Sequence, residues 1–253
     1  MIDPFNHPWL VLAVSVVSFW IAARIGVSIQ KWRRSADEAT RDDFTLLIGA
    51  TLTLLGLIIG FTFSMAVERY DQRKNLEEEE ANAIGTEYVR ANLLPAADAE
   101  KVRALLKSYL AQRIVVYSNP DSQERRRVMI QTTNLQTELW SAVQAPAMAQ
   151  PQAAAMLILS GMNDVLNSQG YTQAAWWNRI PVAAWILLIA ISIFCNLLLG
   201  YGLHAKRGYV FLILPIALSI SLFLIADIDS PRRGIIHVRP QNLEALAESL
   251  NSR

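Results

Sequence analysis

The chain has 253 residues, of which 53% are hydrophobic and only 18% charged, with a formal net charge of +1. Soluble domains carry about 25% charged residues, and here the charges are segregated rather than merely scarce, which argues against a soluble globule and for membrane spans alternating with wet segments. A near-neutral balance excludes a global pull toward nucleic acid, and a lone cysteine, Cys195, excludes an internal disulfide or a thiolate metal site.

The first predicted span covers residues 9–29. It follows His7-Pro8 and ends at Lys31-Trp32-Arg33-Arg34. A secretory leader has its basic residues before the apolar run, not after it, so an ordinary span or signal anchor fits better. Arg24 falls near the span end, where a long side chain can snorkel. The second span covers 44–67, the third 180–203 and the fourth 209–226, with Pro215 inside the last. Each is long enough for a hydrocarbon core of about 30 Å. Trp9, Trp32, Trp176, Trp177, Tyr201 and Tyr209 are placed as aromatic belts are. Basic residues near the span ends come close to a tie between the two sides: Lys31, Arg33, Arg34, Arg41, Lys206 and Arg207 on the hairpin side face Arg69, Arg73, Lys74, Arg179, Arg232, Arg233 and Arg239 on the other. The N-terminal segment, bare of Lys and Arg, favours hairpin loops inside.

No proline occurs between Phe44 and Leu94, and helix formers dominate beyond Met65, so the second span is predicted to continue as one helix to Leu94-Pro95. Its reach is on the order of 75 Å. Gly85 is its weak point. A further helix spans 98–117, with Val102, Leu105, Leu106, Tyr109, Leu110 and Ile114 on one face. Asp121 and Glu124 read as a capping box for the next helix, to about residue 143. Residues 145–151 are expected to form a loop, and 152–166 a helix that Asn167-Ser168-Gln169-Gly170 breaks. The tail closes with an amphipathic helix over 240–250. The expected organisation is therefore an all-α integral membrane protein: 1–66 with the first two spans, 67–179 an extramembrane helical domain, 180–226 the last two spans, and 227–253 a tail.

Small residues recur on one stripe of the second span: Gly49, Thr53, Gly56, Gly60 and Ser64. Such a stripe either packs closely on a neighbouring helix or faces a pore or another subunit. Leu54, Leu57 or Ile58, Phe61 and Met65 form an adjacent apolar stripe that could gate by dewetting. Glu68, Arg69, Asp71 and Arg73 follow where the helix leaves the membrane; rings of such charges at a pore mouth select ions, whereas singly each reads as an ordinary solvated helix exit. Glu77 to Glu80 fill nearly a full turn, with Glu80 nearest the apolar side. Asp227 and Asp229 are too few for a cation site, and His7, His204 and His237 have no metal spacing. Nucleophile elbow, phosphate loop and metalloprotease motifs are missing, so no enzyme, cofactor or metal is expected. Spans nearly free of ionisable groups suit a passive pore better than a coupled carrier.

The run from Gly60 through Glu68-Arg69-Tyr70-Asp71-Gln72-Arg73, then Glu80-Ala81-Asn82-Ala83-Ile84-Gly85-Thr86, Leu93-Leu94-Pro95, Leu139-Trp140, Leu199-Gly200-Tyr201, and the close Asp227-Ile228-Asp229-Ser230-Pro231-Arg232-Arg233-Gly234 resemble the bestrophin-like family of bacterial membrane proteins. Glu80, Asn82, Asp227, Asp229, Pro231 and Gly234 are the motif positions. Arg232 departs from the aromatic expected there, and Asn167 to Tyr171 depart from the family pattern. The resemblance implies kinship with bestrophins, pentameric chloride channels with four spans and a pore lined by the second. It therefore implies a multi-pass inner-membrane protein with a cytoplasmic helical domain, membrane lipid around it, a homo-oligomer and inorganic ions as cargo. The alternative is a membrane-anchored structural or signalling module, whose helices at 102–114 and 123–143 bind a protein partner.

Overall fold

The structure is a computed structural model that describes residues 7–32, 38–119, 121–202, 210–232 and 234–252. Eight α-helices occur among them in chain order: α1 (Pro8–Trp32), α2 (Glu38–Arg90), α3 (Ala96–Ser118), α4 (Ser122–Met148), α5 (Gln152–Trp177), α6 (Val182–Gly202), α7 (Val210–Asp229) and α8 (Gln241–Asn251). A short 3-10 turn, Ala91–Leu93, ends α2, and no strand is present among the described residues. Four helices are long and apolar enough to cross a membrane. Arg33, Arg34, Lys206, Arg207, Tyr209 and Arg233 lie outside the described residues.

The chain divides into two compact units, Met1–Tyr70 with Arg179–His237, and Asp71–Asn178 with Val238–Arg253. In the first, α1 packs on α6 and α7. The core is Phe19, Leu55, Trp185, Leu188, Leu222 and Ile225. Glycines bring α1 and α6 close: a Cβ on Gly26 would lie 2.1 Å from the Leu197 carbonyl oxygen, and one on Gly200 would lie 2.0 Å from that of Ala23. In lipid, where burial of apolar area gives no drive between helices, such backbone approach is what packs them. Arg24 does not run toward the span end. It lies over the ring of Trp20, 5.6 Å from the centroid, because helical side chains lean toward the preceding turn.

In the second unit the core holds Ile84, Val102, Leu106, Tyr109, Leu139, Val143, Ile158, Met162 and Leu243. The helix of α2 runs unbroken through Gly85, and its 53 residues make about 80 Å. One expected break is shortened and another is absent. The segment expected as a loop over 145–151 is helical through Met148 with Pro146 inside, because Ala142, Val143 and Ala147 continue the buried stripe of α4 into its last turn. A proline so near a helix end forfeits one backbone bond, and the burial of Ala147 offsets it. Likewise Asn167-Ser168-Gln169-Gly170 does not break α5. The Ser168 hydroxyl donates to the Val165 carbonyl at 2.8 Å and Thr172 to that of Ser168 at 3.0 Å, so these polar groups bond back onto their own helix. Trp176, expected at a membrane interface, is a core residue, packed edge-on to Tyr117 with ring centroids 5.0 Å apart.

Half of the expected capping box forms at α4. The Asp121 carboxylate accepts from the Gln123 N–H at 2.9 Å, whereas Glu124 turns to Arg127, 3.7 Å away.

Candidate functional site

Two faces of α2 have different fates. Leu55, Thr62, Ala66, Arg73, Glu77, Glu80, Ile84, Glu87 and Ala91 are all buried, at spacings of three, four or seven that keep them on one stripe. The opposite face is open within the chain. Thr53, Phe61 and Ser64 are exposed, and nothing lies within 4 Å of where a Cβ on Gly49, Gly56 or Gly60 would stand. Only 6% of the most apolar stretch of α2 is buried, against 50% for that of α7. The apolar stripe divides: Leu54, Leu57 and Phe61 are exposed, whereas Ile58 and Met65 pack on the first unit's core. At the expected pore mouth Glu68 and Asp71 are exposed, Arg69 is half-buried with Nη2 3.6 Å from the Met65 sulfur, and Arg73 is buried on the stripe with Glu77 and Glu80.

The buried carboxylates of α2 organise the second unit. Glu80 accepts from Arg113 through both oxygens, with the Nη2 contact at 3.2 Å, and from the Tyr117 hydroxyl at 3.3 Å; the Thr172 hydroxyl, whose proton goes to the Ser168 carbonyl, lies 3.3 Å from the same carboxylate oxygen. Glu80 and Arg113 are wholly buried, so a charge on one requires the other. Burial, followed by the Glu80 charge, pushes the phenols of Tyr109 and Tyr117 above their ordinary values. Burial opposes the charge on Arg113, but Glu80 more than offsets it, and the guanidinium is held charged. Glu77 accepts from the backbone N–H groups of Asn242 and Leu243, both at 3.0 Å, and from the Asn242 side chain at 2.7 Å. It thereby caps the first turn of α8. Asn82 is exposed and lines a shallow groove with Gly85, Thr86, Asn242 and Leu246.

The tail motif closes the first unit. Asp227 and Asp229 fall inside the last turn of α7 rather than beyond it. The two oxygens of Asp227 accept from the Ile235 and Ile236 N–H groups, each at 2.8 Å. Asp229 accepts from the Ile180 N–H at 3.1 Å and from Arg179 at 3.3 Å. The chain turns at Pro231, and at Gly234 a Cβ would lie 2.5 Å from the Asp227 carbonyl oxygen, so the backbone passes too close for a larger residue. Both carboxylates thus tie α7 to its flanking chain rather than offering oxygens to a cation. Among the described residues no three or more His, Cys, Asp or Glu gather as metal ligands do.

Arg113, Tyr117, Thr172 and Glu87 went unmarked in the sequence. Arg113 had a signal: it stands three residues after Leu110 and seven after Leu106, on an otherwise apolar stripe. The apolar residues of α3 and α4, expected as a partner-binding surface, are used in the core: Val102, Leu106, Tyr109, Leu110, Leu139 and Val143 pack together.

Known proteins agree with this architecture. No curated protein matches the sequence. Solved structures do: a bacterial bestrophin homologue from Klebsiella pneumoniae superposes with TM-score 0.64 at 17% identity, over 95% of this chain and 94% of that one. A point variant of that homologue gives 0.66 at 16%, over 96% and 97%. A third structure, described only as a membrane protein, gives 0.65 at 15%, over 95% and 96%. At such identities the likeness is one of fold. The bestrophin-like domain, as a family, matches residues 10–243, nearly the whole chain, and the chain belongs to the bestrophin-like family of membrane proteins.

Proposed function

We propose that the protein is a homo-oligomeric ion channel, a pentamer passing inorganic anions, with the membrane part of α2 lining the pore. The observation that carries this reading is the uncovered face of α2. A span that the rest of its chain leaves open along Gly49, Thr53, Gly56, Gly60, Phe61 and Ser64 meets lipid, another copy or water. Small and hydroxylated residues give lipid little to pack on, and they suit a water-filled lumen. Phe61, 66% exposed, is the candidate constriction, gating by dewetting. Glu68, Arg69 and Asp71 set the field at the mouth. We place the channel in the cell inner membrane, with residues 67–179 on the cytoplasmic side, as the family resemblance implies.

The test is native mass in mild detergent followed by ion flux in liposomes. A ring-sized homo-oligomer that releases chloride supports the proposal, and a stable monomer ends it. Neutralising Glu68 to Gln should shift the chloride-to-potassium permeability ratio; unchanged selectivity in both E68Q and R69Q removes the mouth assignment.

A further inference from the structure

Glu87 is the one fully buried carboxylate of the α2 stripe whose oxygens have no hydrogen-bond donor among the described residues. Opposite it, α5 presents bare backbone at Gly161. A Cβ there would stand 2.1 Å from Glu87 Oε2 and 2.4 Å from Arg90 Nη1, so the two side-chain ends crowd the same point. They are nevertheless not paired, for the Arg90 Nη1 donates instead to the Leu157 carbonyl at 3.4 Å. The charged groups that face Glu87 are Arg90 from its own helix and Asp164 from α5. From α3, Arg103 and Lys107 lie over the neighbouring ring of Tyr88, 5.5 and 5.9 Å from its centroid.

We propose that Glu87 is a proton-binding site that works a latch between α2 and α5. Protonated, the neutral carboxyl rests against Gly161 while Arg90 holds the Leu157 carbonyl. When the proton leaves to water, the carboxylate draws the Arg90 guanidinium to itself, and the tie to α5 is released. An ionised carboxylate buried without donors is too costly to persist, and Arg90 is the donor within reach.

Burial pushes the Glu87 carboxyl up to about 8, with Arg90 opposing the rise and Asp164 adding to it. The exchange therefore falls in a physiological range. Its sign is set by linkage. From the ordinary value of 4.5 up to about 8 the unfolded chain releases this proton while the folded chain keeps it, so stability falls as pH rises through that window and levels off above it. Where α2 lines a pore, this exchange makes flux depend on pH; that consequence rests on the channel reading, but protonation itself does not.

Infrared titration of the full chain in detergent, between about pH 6 and pH 10, reads the protonated carboxyl directly and needs no pore. We expect a protonated-acid band that disappears with a midpoint above neutrality, is missing in Glu87→Gln, moves upward in Arg90→Gln and downward in Asp164→Asn. A band that survives intact in E87Q, or no such band in the natural chain, overturns the site. An unmoved midpoint in R90Q overturns the latch. If E87Q does not fold, D164N decides alone: an unmoved midpoint there rejects Glu87 as the titrating group. Failure of flux with the titration intact would sink only the channel.

Discussion

At the scale of single residues, the second unit turns on a few charges in an apolar stripe. Glu80 is part of the family motif and sits where the glutamate run meets its apolar side, so its importance was legible. Its partner was not. Arg113 lies amid Leu106, Tyr109, Leu110 and Val116, where hydropathy registers one polar interruption and says nothing about a partner 33 residues away. Long-range pairing of this kind leaves no local trace in a sequence. Removing one partner leaves the other charge buried and uncompensated. Glu80→Gln should therefore destabilise the protein by about 4 kcal/mol, read as a lowered melting temperature. Replacing both, as Glu80→Met with Arg113→Met, should recover most of that loss. If the double variant melts as low as E80Q, the pair is not the source of the effect.

At the scale of elements, helices are legible where apolar spacing is regular and less so where proline or polar residues interrupt it. The break after α4 comes only at residues 149–151, beyond Pro146, and the run Asn167 to Gly170 makes none, because burial continues on the same stripe at Ala147 and at Ser168 and Thr172. Packing prevails over local propensity when the core-facing positions keep their period. The short helix α8 was legible from its amphipathic pattern, whereas the way it is held was not. Glu77 meets its N-terminus and the Lys107 ammonium donates to the Leu250 carbonyl at 2.7 Å near its C-terminus. Each charge sits at the end of opposite partial charge. Glu77→Ala should cost about 1–2 kcal/mol and make the segment after His237 cleave faster in limited proteolysis. Equal cleavage in both proteins would show that α8 is held without Glu77. The small-residue signal in the spans also divided. The stripe of Gly49, Gly56 and Gly60 has no close neighbour within the chain, whereas close approach occurs between Gly26 and Gly200. Gly200→Ala must displace the backbone of α1 and should cost about 2 kcal/mol or more, whereas Gly60→Ala, with nothing near its Cβ inside a helix, should melt no lower than the natural chain. A G200A protein as stable as G60A would contradict the close crossing.

At the scale of the whole molecule, four spans and an inserted helical domain follow from where the charges are absent, which is the strongest signal a membrane sequence gives. What a single chain does not encode on its face is which uncovered surface meets water and which meets another copy. For Gly56 those alternatives predict different outcomes. A tryptophan there adds a bulky ring at a position where the chain has nothing within 4 Å of the Cβ, so its root meets no neighbour in the protomer. If the face lines the lumen, Gly56→Trp narrows it from every subunit at once, and flux should fall more than about tenfold while native mass stays that of the ring, since a dewetted constriction is steeply sensitive to its radius. If the face is instead a subunit contact, the same ring disrupts the interface, and the oligomer should fall apart. Flux and native mass measured on one preparation therefore separate the two: a lost ring rejects the pore-lining face, and an intact ring with full flux places the ion path elsewhere.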